Sequence, residues 1–442
     1  MDRREVLRQL IERRQMDARW HEGRTFSLVY HAGDEHTEFL KEAFSVFFSE
    51  NALNPLAFRS LKEFETEVVS MVAGLLHGEE RTTGTMTSGG TESIFLAVKS
   101  YRDQARAKSR AGQAQETPQE PEIVLPITAH PAFDKAAHCL SVKLVHVPVD
   151  AEFRADLAAV RAAISPRTIL IVGSAPAYPQ GVIDPIAEMA ELAAERELGM
   201  HVDACLGGFL LPFLRQLGHR VPPFDFEVPG VTSISADLHK YGFAAKGAST
   251  VLYRDPELRK HQFYVRSDWP GGLFGSITMA GTRPGGPIAA AWATLVAMGN
   301  DGYLRTTANI LEITGAFLDG IRQIPGLCIL GKPDMSVFAF ASDKDHPKHV
   351  DIFAVADAME ARGWHIDRQQ NPNSIHLMIT PAHASVVEQY LRDLRESVEY
   401  VHAHPELAVS GNAATYGMLA RLPTRGILED IILQHMDDLY KT

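Results

Sequence analysis

Cysteine is scarce in this chain: three in 442 residues, Cys139, Cys205 and Cys328. An odd number at wide spacing argues against both a disulfide framework and a structural zinc site, and no His or Cys set has convincing metal-ligand spacing. Long apolar runs are missing too; none approaches the roughly 18 residues that a membrane-spanning helix requires. The first residues, MDRREVLRQLIERRQ, lack the apolar stretch of a secretory leader, so a cytoplasmic protein is expected. Positive charge is in deficit, with 43 Lys and Arg against 55 Asp and Glu. A net charge of -12 disfavours a general nucleic-acid binder, whose partner needs basic surface. It leaves room for an anionic small substrate, which responds to the field of its own pocket. Internal repeats are absent as well.

What is present is the composition of an ordinary globular protein, 45% hydrophobic and 22% charged, at a length that suits two packed domains. Between about residues 80 and 255, short β-branched runs alternate with helical patterns. Strands are expected at Glu122–Thr128, Lys143–Asp150, Thr168–Ala175, Gly199–Cys205, Ser233–His239 and Ser249–Arg254. DPIAEMAELAAERE, from Asp184, repeats its apolar residues at spacings of three and four, as an amphipathic helix does. Strands separated by such helices imply an open α/β domain with a largely parallel sheet. The polar stretch from Gln104 to Glu122 reads as a helix end followed by an exposed loop. After Gly302 come a long helix, strands around CILG, SVFAFAS and IHLMIT, a helix at DIFAVADAMEARG and a helical tail. These read as a smaller α+β unit. The expected division is an N-terminal segment (1–60), a large α/β domain (61–300) and a small α+β domain with its tail (301–442).

Three segments carry chemistry. Thr87-Ser88-Gly89-Gly90-Thr91-Glu92-Ser93 precedes a helical pattern, where backbone N–H groups and the helix dipole favour a phosphate, or where a Ser/Thr cap starts the helix. It is not a Walker A loop, since no Gly-Lys-Ser/Thr follows. Asp203, in HVDAC, falls at the end of an expected parallel strand, where open α/β sheets bind ligands. A carboxylate there can hold a pyridinium or an ammonium, bind a metal, or simply cap a turn. SADLHKYGFAAKGAS places Lys240 and Lys246 six residues apart among small and apolar neighbours. Either they are surface lysines, or burial and mutual repulsion lower a pKa so that one can act as a neutral amine. A phosphate cradle, a strand-end Asp and a strand-end His-Lys, taken jointly, are what pyridoxal phosphate needs.

SGGTES at Ser88–Ser93, HVDACLGGF at His201–Phe209, SADLHKYGFAAKGAS and MAGTRPGG at Met279–Gly286 resemble the type I pyridoxal-phosphate fold, group II decarboxylase branch, and within it the sphingosine-1-phosphate lyase family. The resemblance spans roughly residues 25 to 435. It implies an α/β fold with a seven-stranded, largely parallel sheet plus a smaller α+β domain, pyridoxal 5'-phosphate as cofactor, and a homodimer with shared sites. It also implies retro-aldol cleavage of a phosphorylated, phospholipid-like sphingoid base. Amino-acid decarboxylation on the same fold is the alternative.

By position, Lys240 matches the Schiff-base lysine, Asp203 the partner of the ring nitrogen and His130 the histidine on the ring face. Gly90, Thr91 and His239 match the phosphate site, and Ser174 a hydroxyl near the cofactor. Tyr178 matches an active-site tyrosine. Lys246 matches a second lysine near the substrate; beyond a Gly-containing turn from Lys240, it reads as a substrate-side cation or base that also keeps its neighbour's pKa low. Gly281, Thr282 and Arg283 match a loop at the dimer interface, with Thr282 toward the cofactor, and Tyr30 a tyrosine reaching the partner's site. Proton removal from the substrate hydroxyl falls to Lys246, Lys240, Tyr178 or a cofactor phosphate oxygen. One departure concerns the substrate phosphate: Asn54 stands where the family has a histidine, and Asn donates a hydrogen bond but carries no charge.

Overall fold

A computed structural model describes residues 2–111, 120–413 and 425–441. All six expected strands form, each one to three residues shorter at its C-terminal end than the pattern suggests. They are β2 (Glu122–Pro126), β3 (Lys143–Val147), β4 (Thr168–Ser174), β5 (Gly199–Asp203), β6 (Ser233–Ala236) and β7 (Ser249–Tyr253). A seventh, β1 (Thr83–Thr87, TGTMT), had no aliphatic pattern to announce it. Its Gly84 is required by packing, because a Cβ there would lie 2.5 Å from the Leu252 side chain. The sheet order is β1-β7-β6-β5-β4-β2-β3. β7 runs antiparallel to both neighbours and the other pairings are parallel, so the α/β expectation of a largely parallel seven-stranded sheet is met.

β2, β6 and β7 are buried along their whole length and β4 and β5 at all but one residue each, as a sheet covered by helices on its faces demands. The helix Gly90–Arg110 supplies one such cover. Its Ile94, Ala97, Val98 and Tyr101 recur at the helical spacing and pack with Ile123, Leu125, Leu170 and Val172 of the sheet. The helix at Leu157–Ala163 starts where the Asp156 side chain accepts from Ala158 N and Ala159 N, a cap worth about 1 kcal/mol.

Two compact units emerge. One comprises residues 30–312 and 331–338, and contains the seven-stranded sheet. The other comprises 1–29, 313–330 and 339–442. A four-stranded sheet, β10-β11-β13-β12, is formed by Leu327–Ile329, Val337–Ser342, Ser374–Met378 and Asp367–Gln369 in that spatial order. The helical stretch Gly285–Arg322 breaks at Gly299, whose φ of 51° is left-handed. The hairpin of β8 (Tyr264–Trp269) and β9 (Gly272–Ser276) went unread in the sequence. Part of the loop expected after Gln104 (112–119) and part of the helical tail (414–424) lie outside the described residues.

Candidate active site

Parallel strands end in a row, and the residues at or just past those ends define one cavity of about 380 Å³. β4 delivers Ser174 and β5 delivers Asp203, which sit opposite each other in register. β6 stops at Ala236, three residues earlier than its pattern suggested, and the chain turns so that His239 N donates to Ala248 O at 3.0 Å. That turn carries Asp237, His239 and Lys240 into the cavity. β1 leads through Ser88 and Gly89 to the helix starting at Gly90, where Glu92 N and Ser93 N both donate to Gly89 O at 3.0 Å and the N–H groups of Gly90 and Thr91, at the helix start, have no intrahelical acceptor. His130 and Tyr178 complete the wall, their rings 6.4 Å apart and edge to face.

The cradle before the helix is built to stay open. A Cβ on Gly90 would meet Asp237 Oδ2 and Cys205 Sγ, each at 2.8 Å. Glu92 folds back on its own first turn: its Oε2 accepts from both N and Oγ of Ser88 at 2.7 Å, and its Oε1 accepts from Met279 N at 2.9 Å. The loop before Thr282 is thereby tied to the cradle.

Asp237 is the functional group that sequence reading passed over. It is 1% exposed, and its Oδ2 lies 3.0 Å from Lys240 Nζ and 3.7 Å from His239 Nε2. Neither carboxylate oxygen accepts a hydrogen bond of good geometry. A carboxylate removed from water this completely is costly unless a cation answers it. The sequence signal was its spacing, three residues before the imine-forming candidate.

Asp237 also corrects the expected electrostatics of the two lysines. Burial does act to lower the Lys240 pKa, but the charge of Asp237, with smaller help from Cys205, Tyr30 and Asp203, outweighs it and the net shift is upward. Lys246 is the one depressed, to about 8, by desolvation and then by the Lys240 charge. So Lys246 does not hold its neighbour's pKa down; the pressure that matters runs the other way. His239 is pushed down to about 4 by burial, and its Nδ1 accepts from Ala248 N at 3.2 Å.

Tyr30 and Lys246 adjoin the cavity without lining it. The Lys246 ammonium is 5.1 Å from the Tyr30 ring centre and 3.3 Å from His239 O. Tyr30, expected to reach a partner's site, therefore stands beside Lys246 of its own chain, its ring edge-on to Tyr241 at 5.0 Å. Asn54 and Thr282 do not line the cavity. Asn54 Oδ1 accepts from Leu56 N and Ala57 N, making a local turn. Thr282 Oγ1 accepts from Asn51 Nδ2 at 3.3 Å, and Arg283 pairs with Glu65.

These residues fit pyridoxal phosphate. An amine stands beside a buried carboxylate, a second carboxylate terminates β5, donors at a helix start can take an anion, and an imidazole borders the space between.

Comparison with known proteins agrees with this chemistry. The pyridoxal-dependent decarboxylase conserved domain matches residues 16–342. The chain is 47% identical to sphingosine-1-phosphate lyase of Arabidopsis thaliana, over 99% of its own length and 79% of the relative's. The rat sphingosine-1-phosphate lyase 1 is 42% identical over 99% of this chain and 75% of the relative. A solved structure, sphingosine-1-phosphate lyase of Burkholderia pseudomallei, superposes with a TM-score of 0.85 at 38% identity, covering 96% of each chain. Glutamate decarboxylase of Lactobacillus brevis shares the fold, with a TM-score of 0.80 over 91% of this chain and 93% of that one, at 20% identity. Site geometry and sequence kinship together place the chain in the pyridoxal-dependent decarboxylase family, as a member of its sphingosine-1-phosphate lyase group.

Proposed function

We propose that the protein is a pyridoxal-phosphate-dependent lyase that cleaves phosphorylated sphingoid long-chain bases to a long-chain aldehyde and phosphoethanolamine. The observation that carries this reading is the 47% identity to a sphingosine-1-phosphate lyase across nearly the whole chain, against 16–20% for the amino-acid decarboxylases and related enzymes that share only the fold.

Pyridoxal phosphate, when bound, supplies the electron sink for the pair released as the Cα–Cβ bond breaks. The protein's part falls to residues around the cavity. Asp203 would meet the ring nitrogen and keep a proton on it; Gly90, Thr91 and His239 would hold the phosphate; His130 would lie on the ring face and Ser174 would place a hydroxyl near the cofactor. Lys240 provides the amine that anchors the cofactor. Held as an ammonium by Asp237 at 3.0 Å, it would have to lose a proton before its amine could bond to the cofactor. Lys246, depressed to about 8, is the lysine here most ready to be neutral near physiological pH, which supports it as the base for the substrate hydroxyl. Tyr178 borders the same space.

A homodimer belongs to the same proposal. Leu56, Phe48, Val265 and Leu273 are each at least 72% exposed. Asn54 and Thr282 lie off the cavity of their own chain, which suits a contribution to a second copy's site. The proposed setting is the cytoplasm; no helix among the described residues is long and apolar enough to cross a membrane. Purified holoenzyme given a phosphorylated sphingoid base should release aldehyde. Carbon dioxide from an amino-acid panel, with no aldehyde from the lipid, would reject the reading. Sedimentation at graded concentrations tests the dimer, and cell fractionation the location.

A further inference from the structure

Beneath Asp203 runs a chain of buried polar groups that the mechanism above does not use. Asp203 and Ser235 face each other across β5 and β6, and two residues earlier so do His201 and Ser233. Spacing of two puts all four on one face of the sheet. The helix Gly90–Arg110 lays Tyr101 against that face. Tyr101 Oη is 2.6 Å from Ser233 Oγ, which is 2.7 Å from His201 Nδ1. His201 Nε2 is 3.3 Å from Ser235 Oγ, and Ser235 Oγ is 3.2 Å from Asp203 Oδ1. Tyr101 is 2% exposed, and His201, Ser233 and Ser235 are wholly buried.

We infer that His201 and Ser235, backed by Ser233 and Tyr101, are positioning residues that aim the Asp203 carboxylate at the cofactor's ring nitrogen. The proton order follows from the anion at the end of the chain. An ionised carboxylate can only accept, so the Ser235 hydroxyl donates to it. Ser235 must then accept from His201 Nε2–H, which leaves Nδ1 to accept from the Ser233 hydroxyl. Tyr101 Oη backs Ser233 and is also 2.7 Å from Thr232 Oγ1, whose own hydrogen goes to Met200 O, so the Tyr101 hydrogen is shared between Ser233 and Thr232. From Ser233 onward every hydrogen points toward Asp203, and such a chain polarises its members in the same sense. Imidazole can take this part only while neutral, and burial keeps it so, pushing its pKa down to about 4. Phe133 packs edge-on to the ring at 5.8 Å and fixes its plane. Aliphatic side chains would fill this space without any polar group to satisfy, since intramolecular hydrogen bonds add little net stability. What the polar set adds is a fixed donor for one carboxylate.

The inference rests on Asp203 being the ring nitrogen's partner, and the experiment separates the two. Holoenzyme reconstituted with pyridoxal phosphate carrying ¹⁵N in the ring is observed by NMR at one fixed pH, alongside kcat and KM. Ser235→Ala should move the ring-nitrogen resonance toward the unprotonated position and lower kcat by roughly tenfold, the worth of one hydrogen bond to a charged group, at nearly constant KM. Tyr101→Phe, which deletes one oxygen at the far end of the chain from Asp203, should move the resonance the same way by less. If both variants keep the wild-type resonance and lose only thermal stability, the groups are packing and the relay is overturned. If Asp203→Asn also leaves the nitrogen protonated, the assignment of Asp203 itself fails.

Discussion

The ammonium of Lys240 lies 3.0 Å from the Asp237 carboxylate, within one turn and with Asp237 1% exposed. This pairing decides which of two neighbouring lysines titrates near neutrality, and it reverses the expectation that proximity alone creates. A buried opposite charge at contact outweighs a like charge farther off.

Asp237→Asn removes the charge that raises the Lys240 pKa, leaving burial to lower it. The rate at which apoprotein captures pyridoxal phosphate as the visible-absorbing lysine adduct should then reach half its plateau at least about one pH unit below wild type, since one unit corresponds to a modest change in interaction energy. An unchanged midpoint would show that Asp237 does not govern the lysine. Lys240→Ala should abolish that band altogether.

Lys246→Gln should retain the band and lose turnover. Acting as a base, Lys246 must be neutral, so kcat/KM rises as pH passes about 8 in the wild type and that limb disappears in the variant. A rate that instead falls through the same range would assign Lys246 as a cation for the substrate phosphate.

Gly90→Ala introduces a Cβ 2.8 Å from Asp237 Oδ2 and from Cys205 Sγ. Overpacking of this kind costs about 1–3 kcal/mol, and here the strain falls on the cradle. Equilibrium dialysis should show weaker pyridoxal phosphate binding with the circular-dichroism spectrum unchanged. Wild-type affinity would mean the cradle tolerates the methyl group.

Acid should destabilise the fold through its buried histidines. His201 and His383 are both pushed from 6.5 to about 4, chiefly by burial. The unfolded chain takes up protons below pH 6.5 that the fold refuses until about 4, so their contribution is complete above 6.5 and is lost as pH falls toward 4. Each loses about 1.4 kcal/mol per pH unit across that window. Asp184, raised to about 6 by burial, offsets part of this loss. His383 takes the Thr380 N–H at 2.9 Å and contacts Thr25 O at 3.0 Å. Thermal unfolding of the His383→Gln apoprotein should depend less steeply on pH between 6.5 and 4. An equal slope would remove His383 from the account.

Much of this was legible from the linear chain. The strands carry continuous apolar runs because both sheet faces are covered, and such runs are visible one residue at a time. Gly90, Asp203 and Lys240 each stand at a change of pattern, strand to turn to helix, where α/β proteins collect ligands. β1 escaped because Thr-Gly-Thr-Met-Thr owes its place to Leu252 and Val251, on a strand about 165 residues away. Asp237 sat inside a quoted motif, but its weight comes from burial, which no local pattern reports.

The sequence by itself therefore determined the fold class and the cofactor and singled out Lys240 as the proposed anchoring lysine, because each depends on residue type at short spacing. Tertiary structure alone decided the charge states: that Lys240 is held up and Lys246 pressed down, that Tyr30 lies beside its own chain's lysine, and that Tyr101 and His201 align behind Asp203. Proton affinity depends on distance and desolvation, and both are set by residues that only folding brings together.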